Sequence, residues 1–570
     1  MKIMFKYCVV LGMLFSNATV FLYSQIKKDV EKIYYQLNYR PGDWITFSAN
    51  RYSTSVAVSY KIAYIGTLGG VLRYDFIKKQ FDYPLTTSNG LMDNYVKVVA
   101  VEKQNDFLWV ATRDGLQIYN PVSQQFTTAT YFQIGIHLDE EIHSIGFEGN
   151  KIWLQTNKGY LSSGNSLFGF TREQESETAV VLWYGLRASP QGKLPHIFTN
   201  TETGFQFDDH ERAFTDNEFR KFPVTSSIYD HLGNLWLTTY GAGVWKANSV
   251  SYLAEPLNYG LAMQDVSAMC FDDVTMWTGG NIRSPNDRAY STPVSGITEW
   301  NQEKDVFKYY DSGFKSGLRL QNVNCMISDN ENVWIGTDEG LVQRIKKMEY
   351  WTTYSAYSGL YHPSVYSIAL DGRSLYIGTQ QGLNIARPKQ KEYAISKIEI
   401  PELFNVTIYK ILVTNKTMWL GTSNGIYAVS LSDNTFSHFN AVGFKVSSSQ
   451  FLDQQIRGLT EDSTYIYFAS ELSVIRYHKT KLIWESIPVN TQYLIPGVND
   501  AVCDENNIWI GTNNGVLRYI KRKQKWIYYG TQDGLAGGRV KKILIDGDYV
   551  WFGTNKGLTQ FFWNAPHLIE

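Results

Sequence analysis

The chain has 570 residues, of which 44% are hydrophobic and 15% are aromatic, and its formal net charge is -1 at pH 7. A chain of this length and apolar content is sufficient for more than one hydrophobic core. The charge is near zero and no long run of one sign occurs, so a nucleic-acid partner is not expected.

Residues 1–24 have the features of a secretory signal peptide. Lys2 and Lys6 precede an apolar run from Cys8 to Phe15, and small residues follow that run. An uncleaved N-terminal anchor is the alternative, although the run is shorter than a typical membrane span. No later stretch is apolar enough to cross a membrane. We therefore expect a soluble mature chain that is exported, either periplasmic or at the cell surface.

From Tyr64 onward, one motif recurs along the chain. Its clearest copies are residues 333–341 (VWIGTDEGL), 418–426 (MWLGTSNGI), 508–516 (IWIGTNNGV) and 550–558 (VWFGTNKGL). Weaker copies begin at Tyr64, Trp109, Trp153, Trp236, Trp277, Tyr376 and Tyr467, and a degenerate copy is predicted at Ile197 to Asn200 with its turn glycine at Gly204. Each copy predicts a β-hairpin, because the apolar run suits a buried strand and the glycine supplies the positive φ of a tight turn.

The spacing of these copies predicts the fold class. There are about twelve units, mostly about 40 to 48 residues apart, which is the period of a four-stranded propeller blade. Each unit is predicted to contain an inner strand, a Trp strand, a post-glycine strand and an outer aromatic strand, followed by a Gly-Leu loop. The chain is therefore predicted to be all-β, a β-propeller protein of about twelve four-stranded blades. The repeated tryptophans are expected to be packing residues.

The two ends of the repeat array are predicted to complete each other. Residues 43–47 (DWITF) precede the first unit and resemble the outer strands of later units, such as residues 526–529 (WIYY). The last unit lacks an outer strand, and Pro566 disfavours a further one. We predict that Trp44 to Phe47 pairs with the strand at residues 557–562, because such closure removes exposed sheet edges.

Twelve blades exceed the four to eight that are usual for one ring. We therefore expect two consecutive propellers, at residues 25–310 and 311–570, with six blades each. Seven and five blades is the alternative division.

The repeat resembles the two-component regulator propeller repeat. The resemblance covers nearly the whole mature chain and rests on the W-I-G-T pattern, the glycine two residues later, the aromatic strand and the Gly-Leu loop. It implies paired propellers like those in the periplasmic sensor regions of hybrid histidine kinases, or an exported stand-alone protein with the same repeats. This chain has no membrane helix, immunoglobulin-like module or kinase segment after the repeats, so any signalling would need a separate partner.

One turn is much longer than the others. Residues 281–294 follow the Trp strand at Trp277, where the better-formed units have two residues and a glycine. Long loops on rigid scaffolds commonly carry binding groups. The predicted ligand-binding residues, which suit an acidic group or sugar hydroxyls, are Arg283, Asn286, Asp287, Arg288 and Tyr290. The alternative is a solvated insertion that binds nothing.

No catalytic residue, metal site or cofactor is predicted. Residues 229–236 approach a sialidase-type turn but have the wrong Asp-Gly spacing, and the common catalytic motifs are absent from the sequence. His137, Glu140, Glu141 and His143 are close in sequence, but neighbours on a strand point to opposite faces. After the leader, Cys270, Cys325 and Cys503 have no metal-binding spacing and are predicted to be small buried side chains.

Two classes of function fit these features. The first is a non-catalytic binding or scaffold protein of the bacterial cell envelope that recognises a glycan or a protein partner through loops on a propeller face. The second is a carbohydrate-active enzyme on a propeller scaffold, either a polysaccharide lyase or a glycosidase, whose catalytic residues would have to converge on one face. The sequence favours the first.

Overall fold

The fold was analysed on a computed structural model. It describes residues 39–40, 42–137, 139–164, 166–174, 180–188, 194–281, 296–313, 318, 322–348, 350–390, 392–414, 417–432, 435–439, 454–471, 473–489 and 497–568. The predicted leader and all five predicted ligand-binding residues of the loop after Asn281 lie outside these ranges.

The described residues form β-strands and short 3-10 turns, which confirms the all-β propeller class. The first half of the strands is β1 (Trp44–Phe47), β2 (Ser53–Val58), β3 (Ile62–Thr67), β4 (Gly70–Asp75), β5 (Gln80–Leu85), β6 (Val96–Glu102), β7 (Phe107–Thr112), β8 (Gly115–Asn120), β9 (Gln125–Thr130), β10 (Ile142–Glu148), β11 (Lys151–Thr156), β12 (Gly159–Gly164), β13 (Thr171–Arg172), β14 (Leu182–Gly185), β15 (Phe198–Thr199), β16 (Phe205–Asp208), β17 (Ala213–Asp216), β18 (Lys221–Tyr229), β19 (Leu235–Thr239), β20 (Val244–Ala247) and β21 (Leu253–Leu257).

The later strands repeat one four-stranded pattern. They are β22 (Ala268–Asp272), β23 (Thr275–Gly279), β24 (Gly296–Asn301), β25 (Val306–Asp311), β26 (Val323–Ser328), β27 (Asn332–Thr337), β28 (Leu341–Ile345), β29 (Tyr350–Tyr354), β30 (Val365–Asp371), β31 (Ser374–Thr379), β32 (Gly382–Lys389), β33 (Glu392–Lys397), β34 (Ile408–Thr414), β35 (Thr417–Thr422), β36 (Gly425–Ser430), β37 (Phe436–Phe439), β38 (Gly458–Glu461), β39 (Tyr465–Ala469), β40 (Val474–His478), β41 (Ile483–Ile487), β42 (Val498–Cys503), β43 (Asn507–Thr512), β44 (Val516–Ile520), β45 (Lys525–Tyr529), β46 (Val540–Asp546), β47 (Tyr549–Thr554) and β48 (Gly557–Phe561). The 3-10 turns span Thr87–Asn89, Phe132–Ile134, Leu186–Ala188, Thr201–Thr203, Ala356–Ser358 and Pro401–Leu403.

Two local hydrogen-bond patterns explain the repeated residues. In the hairpin turn, the threonine hydroxyl donates to the glycine carbonyl, for example Thr512 to Gly515 at 2.9 Å, and the glycine has φ +84°. At the other end of the Trp strand, an acidic side chain accepts the indole N–H, for example Asp329 from Trp334 at 2.8 Å. Since both motifs satisfy polar groups beside buried strands, the repeat specifies blades and not a binding site.

The predicted closure of the repeat array is confirmed. Strand β1 lies antiparallel to β48, with Trp44 opposite Phe561 and Phe47 opposite Leu558. The last sheet therefore has the order β1-β48-β47-β46. A strand from the N-terminal end thus completes the blade formed by the C-terminal end.

The number of sheets differs from the predicted number of units. The described residues form eleven sheets, because the degenerate copy at Ile197 to Asn200 does not form a blade of its own. Its strand β15 pairs in parallel with β21, at the edge of a seven-stranded sheet that also holds β16 to β20. The sheet that contains β10 also departs from four strands, since β14 adds a fifth strand beside β10.

Seven inner strands follow one another around a ring. Strands β22, β26, β30, β34, β38, β42 and β46 make contacts in this order, and β46 contacts β22. Next to the last of these contacts, the Val266 N–H, which precedes β22, donates to the Thr554 carbonyl at the end of β47 at 2.9 Å. We refer to the blades at residues 268–561, with β1, as the seven-blade ring, and to the sheets at residues 53–257 as the four-blade unit.

The predicted break near Asp311 assigned the blade at 268–311 to the first propeller. Its contacts with β46 and β26 instead favour a division between Leu257 and Ala268, and we propose this division. In this arrangement, the four-blade unit is inserted between β1 and β22 of the seven-blade ring.

Candidate functional site

One residue at or next to the start of each inner strand contributes to a rim around the axis of the seven-blade ring. Most of these strands have a β-bulge after their first residue, for example between Val323 and Cys325. The residue at the bulge lies at the same end of the blade as the Thr-x-x-Gly turn, because Val323 pairs with Thr337. The seven rim residues are Ser267, Asn324, Tyr366, Tyr409, Arg457, Asn499 and Lys541.

Four of the rim residues link neighbouring blades. Ser267 donates to the Val323 carbonyl at 2.5 Å, and Asn324 donates to the Val365 carbonyl at 3.1 Å. Asn499 donates to the Val540 carbonyl at 2.9 Å, and Lys541 pairs with Asp265 at 2.7 Å. The equivalent position also links neighbouring blades in the four-blade unit, where the Thr54 hydroxyl donates to the Val96 carbonyl at 2.8 Å. Short polar side chains at this position are therefore structural.

Three consecutive rim residues depart from this rule. The rings of Tyr366 and Tyr409 lie 5.9 Å apart in a T-shaped arrangement. The Arg457 guanidinium lies over the Tyr409 ring, 4.3 Å from its centroid. Within the part of the chain that the structure describes, none of the three donates to the carbonyl of the next blade or pairs with a carboxylate. We call Tyr366, Tyr409 and Arg457 the aromatic rim.

The aromatic rim is positioned by its neighbours and partly exposed to solvent. The Gln455 amide donates to the Tyr409 hydroxyl at 3.0 Å and accepts from Arg457 Nε at 3.2 Å. Burial raises the pKa of Tyr366, and the nearby Asp338 carboxylate raises it further. Because Tyr366 stays protonated at neutral pH, its hydroxyl can donate to a ligand.

A second layer of residues lies directly below the rim. Each of its members pairs with the glycine, or with Ala469, of the neighbouring Trp strand, for example Lys410 with Gly421. The seven members are Ala268, Cys325, Ser367, Lys410, Gly458, Asp500 and Lys542. Lys410 Nζ lies 2.5 Å and Lys542 Nζ lies 3.2 Å from the Asp500 carboxylate. We call these three residues the axial cluster.

Asp500 is buried and the two lysines are only partly exposed, and this burial shifts pKa values in the axial cluster. Burial lowers the pKa of Lys410, Asp500 opposes this effect, and Lys542 adds to it. Burial alone would raise the pKa of Asp500, but the two lysines hold it below its ordinary value. The cluster therefore places two lysine amino groups on one buried carboxylate beside the axis.

The long loop predicted to bind a ligand starts beside the rim. Its first residue, Asn281, accepts a hydrogen bond from the Ser267 hydroxyl at 3.1 Å and forms a β-bridge with Asn322. Arg283, Asn286, Asp287, Arg288 and Tyr290 lie outside the described residues, so their role stays a prediction. The described anchor puts the start of this loop at the rim of the seven-blade ring.

Other residues considered from the sequence make structural contacts. Asp230 of the sialidase-like stretch accepts the Trp236 indole N–H at 2.9 Å, and Asp329 and Glu148 accept the indole N–H in the same way in two other blades. Glu140 accepts bonds from Thr156 at 2.5 Å and Arg172 at 2.6 Å. Within the described ranges, His, Cys, Asp and Glu side chains form no group of three that could hold a metal ion. Tyr184 is fully buried, as expected for packing within a blade.

The three cysteines within the described residues form no disulfide. Cys270, Cys325 and Cys503 are free thiols. Burial raises the pKa of Cys325 to about 12, so this thiol is protonated at neutral pH. Among the described residues, none of the helical turns has the length and apolar character to cross a membrane.

Comparison with known proteins finds similarity in structure alone. No family model and no curated protein matches the sequence. The extracellular domain of the putative hybrid two component system BT4673 from B. thetaiotaomicron is 15% identical, with a TM-score of 0.43 over 89% of this chain and 70% of that chain. PorZ, a surface component of the type-IX secretion system of Porphyromonas gingivalis, is 14% identical, with a TM-score of 0.45 over 90% of this chain and 73% of that chain.

A further similar structure is the extracellular domain of the putative hybrid two component system BT3049 from B. thetaiotaomicron. It is 17% identical, with a TM-score of 0.31 over 91% of this chain and 82% of that chain. At these identities and TM-scores, the similarities assign no function to this chain.

Proposed function

We propose that this protein is an exported, non-catalytic binding or scaffold protein of the bacterial cell envelope. In this proposal, it recognises a glycan, or a protein partner, at the rim of the seven-blade ring. The observation that carries the proposal is the aromatic rim, where Tyr366, Tyr409 and Arg457 replace the short polar residues that link blades elsewhere. Export is supported by the signal-like features of residues 1–24.

The chemistry of the rim favours a glycan. Tyrosine rings offer apolar faces with a polar edge, which suits the C–H faces and hydroxyl groups of a sugar ring. Arg457 keeps its charge at any relevant pH and offers a fork of donors to a carboxylate or phosphate. Its guanidinium is already held against Tyr409 at 4.3 Å, so little side-chain freedom is lost on binding.

The proposal is tested by a glycan array with the mature protein, followed by an affinity measurement on any hit. The double variant Tyr366→Asn/Tyr409→Asn installs the residue that occupies the rim at Asn324 and Asn499. Its affinity for the hit should fall at least about tenfold, or about 1.4 kcal/mol. Its thermal stability should not fall, because asparagine at this position can bond to the next blade. Unchanged affinity in a folded double variant would place the site elsewhere.

A matched control separates the rim from general surface effects. Tyr357 is fully exposed in a Gly-Leu loop region of the same ring, so Tyr357→Asn should leave binding unchanged. Assaying every array hit for released product tests the alternative of a polysaccharide lyase or glycosidase. Product release by the mature protein would replace the binding function with the enzymatic one.

The loop after Asn281 is proposed to add to the same surface. Arg283→Ala/Arg288→Ala should weaken capture of the ligand by at least about tenfold, because both guanidinium groups are proposed to meet an acidic or hydroxylated ligand. The melting temperature should barely change, since exposed loop side chains contribute little to a core. Affinity and melting temperature measured on the same preparation provide the check. Normal binding would remove the loop from the site, and unfolding would show that the loop is structural.

A further inference from the structure

We propose that Lys410 and Lys542 form an anion site on the axis of the seven-blade ring, one layer below the aromatic rim, that takes the carboxylate or phosphate group of a ligand. The identity of that ligand rests on the proposed glycan-binding function. The anion site itself rests on the axial cluster and can be tested separately.

Two lysines of the axial cluster share one carboxylate. Asp500 Oδ1 accepts from Lys410 at 2.5 Å, while Oδ2 accepts the Ile543 backbone N–H at 2.9 Å and lies 3.2 Å from Lys542 Nζ. One carboxylate therefore serves two ammonium groups, each of which has three N–H donors. Among the described residues, no second carboxylate pairs with Lys410 or Lys542. An uncompensated ammonium group away from bulk water is unfavourable, and an anion would relieve it.

Other shielded lysines of this ring have one carboxylate each. Lys521 pairs with Asp462 at 2.5 Å, and Lys346 pairs with Asp272 at 2.5 Å. Even Lys541, the neighbour of Lys542 in the chain, has its own partner in Asp265. An ion pair that only joins blades needs one lysine, so the second lysine of the axial cluster requires another explanation.

The layer of the axial cluster also has space around the axis. The four other positions of this layer hold small side chains or none, namely Ala268, Cys325, Ser367 and Gly458. The Lys410 and Lys542 side chains are each 23% exposed, whereas Asp500 is 2% exposed. Both lysine side chains therefore keep part of their surface exposed, while the carboxylate is buried.

The rim above the axial cluster is compatible with an anion. Arg457 on the rim has no carboxylate partner among the described residues, so a positive group lies above the axial cluster. The thiol of Cys325 is protonated at neutral pH and adds no negative charge. A sugar ring stacked on the tyrosines could thus direct an acidic substituent down the axis, where two ammonium groups would meet it.

The test measures thermal unfolding of the mature protein in sodium phosphate and, separately, in sodium acetate, each against sodium chloride at the same ionic strength and pH 7. At an anion concentration about ten times the dissociation constant, the melting temperature should rise by about 2 °C or more. A rise in phosphate alone, in acetate alone or in both identifies the anionic group that the site takes. No rise in either anion overturns the proposal.

The deciding variant is Lys542→Met. It leaves Lys410 and Asp500 as a balanced pair, so the chain should still fold and the anion-dependent rise should disappear. Lys521→Met is the matched control, because it removes a similarly shielded lysine from a paired site elsewhere in the ring. The melting temperature of Lys521→Met should still rise with the anion. If Lys542→Met does not fold, Lys410→Met serves the same purpose, and an undiminished rise in whichever folds contradicts the site.

The same assay separates this site from the proposed function. Tyr366→Asn/Tyr409→Asn should retain the anion-dependent rise even if it loses glycan capture. If this double variant no longer captures the glycan but its melting temperature still rises with the anion, both proposals are supported. If the unsubstituted protein captures no glycan and its melting temperature still rises with the anion, the anion site stands and the glycan-binding function is removed.

Discussion

Replacing Trp44 by alanine is expected to lower the free energy of unfolding by about 3 to 5 kcal/mol, the range for deleting a buried aromatic side chain. Trp44 is 5% exposed, and its indole stacks on the Phe561 ring with centroids 3.9 Å apart and planes 9° apart. It also contacts the Tyr529 ring of the preceding blade, at 5.9 Å. The residue therefore joins β1 to the last blade and that blade to its neighbour.

The loss should be local to the closure of the ring. Hydrogen exchange should show lost protection in β47 and β48, because among the described strands it is β1 that pairs with the outer edge of β48. Trp526→Ala is the matched control: Trp526 is 7% exposed and lies on the outer strand β45 of a blade formed from continuous chain. It should reduce protection in its own blade and leave β48 protected. Full protection of β48 in Trp44→Ala would contradict the closure.

The second large effect is expected where the four-blade unit meets the seven-blade ring. Arg51 is 6% exposed and forms two bonds to Asp311, at 2.6 and 2.8 Å. Its backbone carbonyl accepts N–H groups from Gly241 and Gly243 of the four-blade unit. Arg51→Met should lower the free energy of unfolding by about 3 kcal/mol, because the Asp311 carboxylate would lose both hydrogen bonds from this buried guanidinium.

The double variant Arg51→Met/Asp311→Leu identifies the cause of that loss. Replacing both partners of a buried ion pair with apolar side chains is often neutral, so the double variant should recover most of the stability. Urea unfolding followed with probes in each part of the chain provides the measurement. If the double variant is no more stable than Arg51→Met, the lost free energy of unfolding comes from the packing of Arg51 and not from the lost ion pair with Asp311.

The blades could be predicted from the sequence because their signals are local. The Thr512 hydroxyl and the Gly515 carbonyl are three residues apart, and the tryptophan and its acidic partner are five apart in Asp329 and Trp334. Such contacts leave a fixed spacing in the sequence. The closure by β1 was predictable for another reason, namely that one end of the repeat had a spare strand and the other end lacked one.

The arrangement of the blades depends on contacts that leave no such spacing. Ile197 to Asn200 resembled a degenerate repeat, yet β15 forms the edge of a sheet by pairing in parallel with β21, more than fifty residues away. The division of blades similarly depends on contacts such as those between Val266 and Thr554. A repeat motif describes each blade alike and does not identify its neighbours.

The aromatic rim was missed for a different reason. Its residues lie one position after the first apolar residue of an inner strand, in Val-Tyr-Ser, Ile-Tyr-Lys and Ile-Arg-Gly, where other blades have Val-Asn-Cys or Val-Asn-Asp. The replacement of asparagine by tyrosine or arginine is visible in the sequence once it is known that Asn324 and Asn499 bond to the next blade. The axial cluster was harder to predict from the sequence. Lys410 and Asp500 are ninety residues apart in the chain and come together only in the folded ring.

The most direct measurement is the structure of the mature chain bound to a glycan captured on the array. The proposed function predicts a sugar ring within about 4 Å of the Tyr366 or Tyr409 ring, the usual limit for contact between side chains. The anion site predicts that an acidic substituent, if the glycan has one, lies against Lys410 and Lys542. A glycan bound on the four-blade unit, or along the outer strands of the seven-blade ring with the rim empty, would contradict the account.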